Sequence, residues 1–166
     1  HGADYIAVTW CKFYYTSLSK GHLFSNLIGH SDSNSSEDSG KLRITFQYCW
    51  WGDRVIERMP RVRFGKVHIA NCYFNSTNVG TGCVTAGMEG NIRTENTYFD
   101  GVKNPIDLDK LAGDAVSYAL NNLYPGCTAT SSGRMADGTY GSGTPFTVPY
   151  TLTLAPTANV KSLVTD

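Results

Sequence analysis

Short runs of alternating apolar and polar positions recur along the chain: Tyr5-Ile6-Ala7-Val8, Leu42-Arg43-Ile44-Thr45-Phe46, Val67-His68-Ile69-Ala70 and Asn91-Ile92-Arg93. Alternation with a period of two marks a half-buried strand. The runs lead into segments of one texture, in which a small polar or thiol side chain precedes two large, mostly aromatic ones: "VTWCKF", "FQYCWW", "IANCYF", "TENTYF" and "ALNNLY". Their aligned residues are Cys11, Cys49, Cys72, Thr97 and Asn122, at steps of 38, 23, 25 and 25 residues. A repeat of roughly 20–25 residues built from short strands and turns predicts a solenoid. Because the strands are β-branched and aromatic rather than leucine-rich, the predicted form is a parallel β-helix, an all-β fold.

In such a fold equivalent residues stack from coil to coil. Cys11, Cys49, Cys72, Thr97 and Asn122 are therefore expected to form one internal column at a turn, with the thiols buried and reduced. Disulfide pairing among Cys11, Cys49 and Cys72 is the competing reading; like residues stacked in neighbouring coils need not have disulfide geometry. The first step is the longest, so the first coil carries an insertion, within 14–26 or 31–40. "HSDSNSSEDSG" has the polar, Ser-rich texture of an exposed loop. Residues 107–122 offer helical spacing through Leu108, Leu111, Ala115 and Leu120, yet the 25-residue register favours a strand at 115–120. Residues 1–126 read as β-helix coils. Residues 127–166 read as an irregular segment that packs on them within the same domain.

Composition changes this picture in one respect. The 166 residues carry 14 Lys+Arg against 14 Asp+Glu, and only 17% are charged. That balance argues against a nucleic-acid partner, which calls for a broad basic excess. No apolar run approaches a bilayer-spanning length, so no membrane partner is expected. The start at His1 without Met suggests that a leader or a longer segment has been removed. Five cysteines without a CxxC pair make zinc improbable. Against this neutral background, Arg54, Arg58, Arg61, Arg63 and Lys66 lie within thirteen positions beside a single acid, Glu57. A local anion site is the reading that fits, and strand alternation sets Arg61 and Arg63 on one face.

Several phrases together resemble the pectate lyases, polysaccharide lyase family 1. "GADYIAVTW" is similar to a strand opening a central coil, and "NLIGHSDSNSSEDSGKLRIT" resembles the family's "LIGHSD…ED.G.LR.T" segment. "RMPRVRFGKVHIANCYF" is similar to "R.P..R.G..H..NNYF", and "FTVPYTLTLAPTANVKSLVTD" resembles the closing segment. The cysteine column and "QYCWW" resemble members from Bacteroidetes-type gut bacteria. The resemblance implies a right-handed parallel β-helix, secretion to the cell exterior or periplasm, and calcium-assisted β-elimination of α-1,4-polygalacturonate (pectin). It also implies that the chain corresponds to the C-terminal half of a catalytic domain. The calcium ligands are then expected upstream of His1, on an N-terminal half, with none in this chain.

Mapped onto Arg58-x-Pro60-x-x-Arg63, the resemblance assigns proton abstraction to Arg58 and carboxylate binding to Arg63, with Arg61 beside it. The family's lysine three residues before the Leu of "LIGHSD" is Phe24 here, and Lys20 is the candidate replacement. His22 and His68 read as structural, and one of Trp50 and Trp51 is expected in the core. Asp32, Glu37 and Asp38 are spaced as loop acids rather than as a calcium site. Two alternatives accompany this reading: a pectin lyase acting on methyl-esterified chains, and a non-catalytic β-helix carbohydrate-binding or adhesin module.

Overall fold

A computed structural model describes residues 1–166. Each of four coils contributes a strand to each of three parallel sheets, and a fifth adds one to the first sheet. The longest-stranded sheet runs Ile6–Thr9, Arg43–Gln47, Lys66–Ala70, Asn91–Glu95 and Val116–Leu120, and Gly138–Gly141 closes it antiparallel. The second sheet stacks Lys12–Phe13, Trp50–Trp51, Tyr73–Phe74 and Tyr98–Phe99. The third stacks Leu27–Ile28, Arg61–Val62, Val84–Ala86 and Ile106–Asp107, and is closed antiparallel by Gly133–Arg134. This is the parallel β-solenoid that the repeat predicts, and residues 116–120 form a strand rather than a helix.

Registration is residue on residue. Ile44 lies on Val67 and Val67 on Ile92, while Phe46 lies on Ile69 and Ile69 on Thr94. These side chains point inward, and Arg43, Thr45 and Gln47 point outward, as period two requires. In the second sheet Phe13, Trp51, Phe74, Phe99 and Tyr124 stack ring on ring, with successive centroids 5.1, 4.6, 4.6 and 5.4 Å apart. Trp51 is fully buried in that pile, whereas Trp50 faces out, donating to Asn75 Oδ1 at 2.7 Å.

The turn between the first two sheets holds the expected column. The Cys49 amide lies 3.4 Å from Cys72 Sγ, the Cys72 amide 3.2 Å from Thr97 Oγ1, and the Thr97 amide 2.9 Å from Asn122 Oδ1. Each side chain accepts from the backbone of the coil before it, answering a donor that the turn leaves unpaired. Asp137 of the closing hairpin ends the ladder by accepting from the Asn122 amide. The residue before each rung is left-handed: Trp10, Tyr48, Asn71, Asn96 and Asn121 have φ between 48° and 55°. Asn tolerates that conformation best among them. One expectation needs correction. Cys11 is exposed rather than buried, because it sits on the outermost described coil and no side chain stacks beyond it. None of the five cysteines forms a disulfide.

After the closing hairpin the chain runs back across the outer face of the longest-stranded sheet. Asn91 Nδ2 donates to Thr144 O (2.8 Å), and Asn71 pairs twice with the backbone of Ala155 at 2.9 Å. The chain ends in the helix Val160–Thr165, with Val160 buried. The first coil's long connection carries the short helix Ser35–Asp38, and Asp38 is buried where it accepts from the Gly2 amide at 2.7 Å.

Two outcomes follow from the column. Burial pushes the Cys72 and Cys83 thiols well above their ordinary pKa. Native thiol titration should label Cys11 rapidly and leave Cys49, Cys72 and Cys83 unmodified until the chain unfolds; fast labelling of all five would remove the ladder. Asn122→Ala strips an acceptor from the Thr97 amide and a donor from Thr94 O. It should cost about 1–3 kcal/mol, read as a lower midpoint in urea.

Candidate active site

The third sheet is where the arginines meet. Arg58 enters its strand through an unusual backbone: φ is 62°, and the next peptide bond, Met59–Pro60, is cis. A left-handed non-glycine residue costs roughly 1–2 kcal/mol and persists only where its surroundings hold it. Here both neighbours do so. The Asn26 amide donates to Arg58 O (2.7 Å), and the Met59 amide donates to Cys83 O (2.9 Å). The Arg58 side chain thereby leaves the strand line and lies over the ring of Phe24, 4.4 Å from its centroid.

Arg58, Arg61, Glu57, Thr81, Thr85, Asp107 and Lys110 line one shallow cleft. Glu57 Oε1 is 3.6 Å from Arg58 Nε, and Thr81 Oγ1 holds the other Glu57 oxygen at 2.9 Å. Asp107 is buried, its pKa raised by burial, and it accepts from Thr85 Oγ1 (3.2 Å) and the Asp109 amide (3.1 Å). Gly82 allows that approach, since a Cβ there would lie 2.4 Å from Asp107 Cβ.

The three motif arginines differ in one decisive way. Arg63 is almost buried; its Nε donates to the Asp32 carboxylate and its Nη1 to Gly29 O at 2.9 Å. It ties the "LIGHSD" loop to the sheet. Arg58 and Arg61 make no side-chain hydrogen bond, whereas the other five of the seven arginines all do. The Nε atoms of both are buried and unpartnered. Burial lowers the pKa of Arg61, and the Arg63 cation adds to the effect. Two cations side by side whose buried Nε atoms have no hydrogen-bond acceptor, with Glu57 the one counter-charge near Arg58, form a ready anion site.

The structure thus brings Arg58 and Arg61 together in the cleft, with Arg63 beside Arg61 and tied to Asp32 and Gly29 O. A Cβ on Gly87 would touch Arg63 Cγ (3.3 Å) and Arg61 Nε (3.8 Å), so the two arginines do share a face. Lys20 does not join them. It is exposed on the first coil's connection and takes part in none of the cleft's contacts. Glu57, Thr81, Thr85, Asp107 and Lys110 were not singled out from the sequence. They come from strands and turns of three successive coils, and only the coil register shows that they meet.

For the implied calcium, this chain's acids do not supply a fitting donor set. The cluster within ligand distance is His1, His30 and Glu37, whose two imidazoles suit a borderline metal better than a hard cation that needs six or more oxygens.

His68 lies on the outer face of the longest-stranded sheet, under the returning chain. It is 2% exposed, 2.7 Å from Glu95 Oε1 and 3.1 Å from the Tyr150 hydroxyl. Burial pushes its pKa below the ordinary 6.5, outweighing the Glu95 hydrogen bond. For Glu95, burial pushes upward but is outweighed by hydrogen bonds from Arg93 and His68, so its pKa is lowered. His68 is a wall residue.

A family model described as "Pectate lyase" matches residues 1–166. A probable pectate lyase A of Neosartorya fischeri is 33% identical over 164 residues, covering 99% of this chain and 44% of its own. Pectate lyase E of Dickeya chrysanthemi is 50% identical over 70 residues, covering 42% of this chain and 16% of its own. Among solved structures, pectate lyase II of Xanthomonas campestris pv. campestris superposes with a TM-score of 0.68 at 25% identity, over 98% of this chain and 48% of that one. A pectate lyase bound to a hexasaccharide superposes with a TM-score of 0.70 at 24% identity, over 99% and 40%, which speaks to the fold alone. The chain spans less than half the length of the full relatives it matches.

The His68–Glu95 pair fixes the sign of a pH dependence. Both folded pKa values lie below the unfolded ones, so the unfolded state binds more protons as pH falls. Stability should be full above pH 6.5 and decline through the histidine range and then the carboxylate range. His68→Gln should flatten the first decline, measured as melting temperature between pH 7.5 and 5.5; an unchanged slope would remove His68 from this role.

Proposed function

The chain belongs to the pectate lyase family, and from that premise we propose that its arginine cleft holds polygalacturonate and breaks it by β-elimination. The observation that carries this reading is the pair Arg58 and Arg61, whose buried Nε atoms have no acceptor in the protein. A polyuronate brings a carboxylate at every sugar and supplies what both arginines lack.

Elimination removes the C5 proton, alpha to the carboxylate. The C5–H electron pair becomes the C4=C5 double bond, the C4–O4 bond breaks, and O4 leaves with its pair and takes a proton from water. Negative charge builds on the carboxylate in between, and cations fixed against it lower the barrier. We assign carboxylate binding to Arg61, and the face toward C5 to Arg58. Arg63 acts as a positioning residue through Asp32 and Gly29 rather than as the principal carboxylate ligand. A free guanidinium stays protonated below about pH 12. The step that asks least of Arg58 is therefore orientation of a water or hydroxide that accepts the C5 proton. Calcium, when bound in pectate lyases, adds charge neutralisation at the carboxylate. Secretion, and an upstream half that completes the cleft, accompany this reading as proposals, as does kinship with Bacteroidetes-type enzymes.

Formation of 4,5-unsaturated product, followed by its ultraviolet absorbance, tests the assignment. Arg58→Ala and Arg58→Lys should each lower kcat at least about a hundredfold with the melting temperature unchanged, since Lys cannot reproduce a planar fork. Arg61→Ala should act mainly on KM. Retention of more than a tenth of kcat by either Arg58 variant would overturn the role given to it.

A further inference from the structure

The chain has four histidines, and the fold treats them differently. His68 is buried under the returning chain, and His22 lies edge-on to Phe24. His1 and His30 are both exposed and meet ring to ring, with centroids 4.7 Å apart. Glu37 joins them from the short helix of the first coil's connection, its Oε1 2.5 Å from His1 Nδ1. One ligating atom from each of these three residues lies within 4.8 Å of the other two.

Neighbouring groups hold this trio in place. Asn34 Nδ2 donates to the second Glu37 oxygen at 2.7 Å, which leaves Oε1 to the imidazole. The buried Asp38 carboxylate accepts from the Gly2 amide at 2.7 Å and from Asn34 Nδ2 at 3.2 Å, fixing the backbone that carries His1. Gly2 is left-handed, with φ at 68°, and a Cβ there would stand 3.4 Å from Glu37 Oε1. A carboxylate turned toward its partner by a second hydrogen bond is the arrangement by which metal sites orient their ligands.

We propose that His1, His30 and Glu37 bind a borderline divalent cation, zinc, with the fourth position left to water. Two imidazoles and one carboxylate suit zinc, whereas calcium asks for six or more oxygens. Around tetrahedral zinc the ligand atoms stand about 3.3 Å apart, at bond lengths of about 2.1 Å. The three side chains reach that spacing by small rotations, the His1–Glu37 contact opening and His30 closing in. The bound ion acts as a clamp. His30 lies between Gly29 and Asp32, the two residues whose oxygens accept from Arg63. Zinc therefore ties the entry of the first coil to the loop that Arg63 grips, and its binding free energy adds to the stability of the folded stack.

Calorimetric titration of the chain with zinc chloride tests this, and should give a single ion per chain at micromolar affinity. At a free concentration of about a hundred times Kd, zinc should raise the melting temperature by about 5 °C or more. His1→Ala, His30→Ala and Glu37→Gln should each weaken zinc at least about tenfold, while His22→Ala and Cys11→Ser leave it unchanged. The three ligands lie at the surface, so their variants should keep the metal-free melting temperature. A glycine placed ahead of His1 should leave the affinity within about twofold, since the clamp uses side chains and not the α-amine. Cobalt(II) should show the weak visible bands of nitrogen and oxygen ligands without a thiolate charge-transfer band. Absence of zinc binding would overturn the proposal, as would an affinity untouched by His30→Ala or Glu37→Gln. Loss of binding with Cys11→Ser or with the added glycine, or displacement of zinc by equimolar calcium, would overturn it as well.

Discussion

Every feature of this molecule answers to one constraint: parallel coils joined backbone to backbone place each residue one strand spacing from its counterpart. A side chain that suits its position must also suit a copy of itself above and below. Flat rings satisfy that condition by stacking, which is why Phe13, Trp51, Phe74, Phe99 and Tyr124 form one pile. Small acceptors satisfy it by reaching one coil over, which is how Cys72, Thr97 and Asn122 come to share a single role despite different chemistry. Like charges do not satisfy it. Cations at the third sheet are accordingly separated along the stack: Arg58 and Arg61 on one coil and Lys110 two coils on, with Thr81 and Thr85 on the coil between them.

The same constraint explains how arginines can be kept without a hydrogen-bond acceptor. A strand residue cannot move to seek an acceptor when both neighbouring coils hold its backbone. Arg58 is held through its own carbonyl and the next amide, and its left-handed turn directs the side chain over Phe24 instead of along the sheet. The rigidity of the scaffold thus holds a guanidinium whose buried Nε lacks a hydrogen-bond acceptor, where a more pliable loop would relax. Burial and the neighbouring arginine bear on Arg61 together, and its lowered pKa expresses that tension.

Much of the fold was legible because a solenoid repeats its information. Five aligned segments located the column and the strand at Val116–Leu120, and the charge density around Arg58 marked the cleft. What stayed hidden depends on turns that do not repeat. Nothing in the local spacing of Arg63 shows that Asp32 and Gly29 O occupy its side chain, because that contact joins loops 31 residues apart. Lys110 could not be picked out from other exposed lysines until the register placed its turn beside Arg58. Cys11 matched its column in texture, and only its place on the outermost described coil made it exposed.

The returning chain has a kinetic meaning of its own. Coil-to-coil contacts join residues about 25 apart and can propagate one rung at a time, but the bonds from Asn71 to Ala155 close a separation of 84 residues. Contacts that distant carry a larger loop-closure cost and form after the local ones. The segment that crosses Thr45, His68 and Asn96 therefore has no dock until those three coils are already aligned. It acts as a latch that closes only on a correctly registered stack, and its release is the natural first step by which the folded chain comes apart.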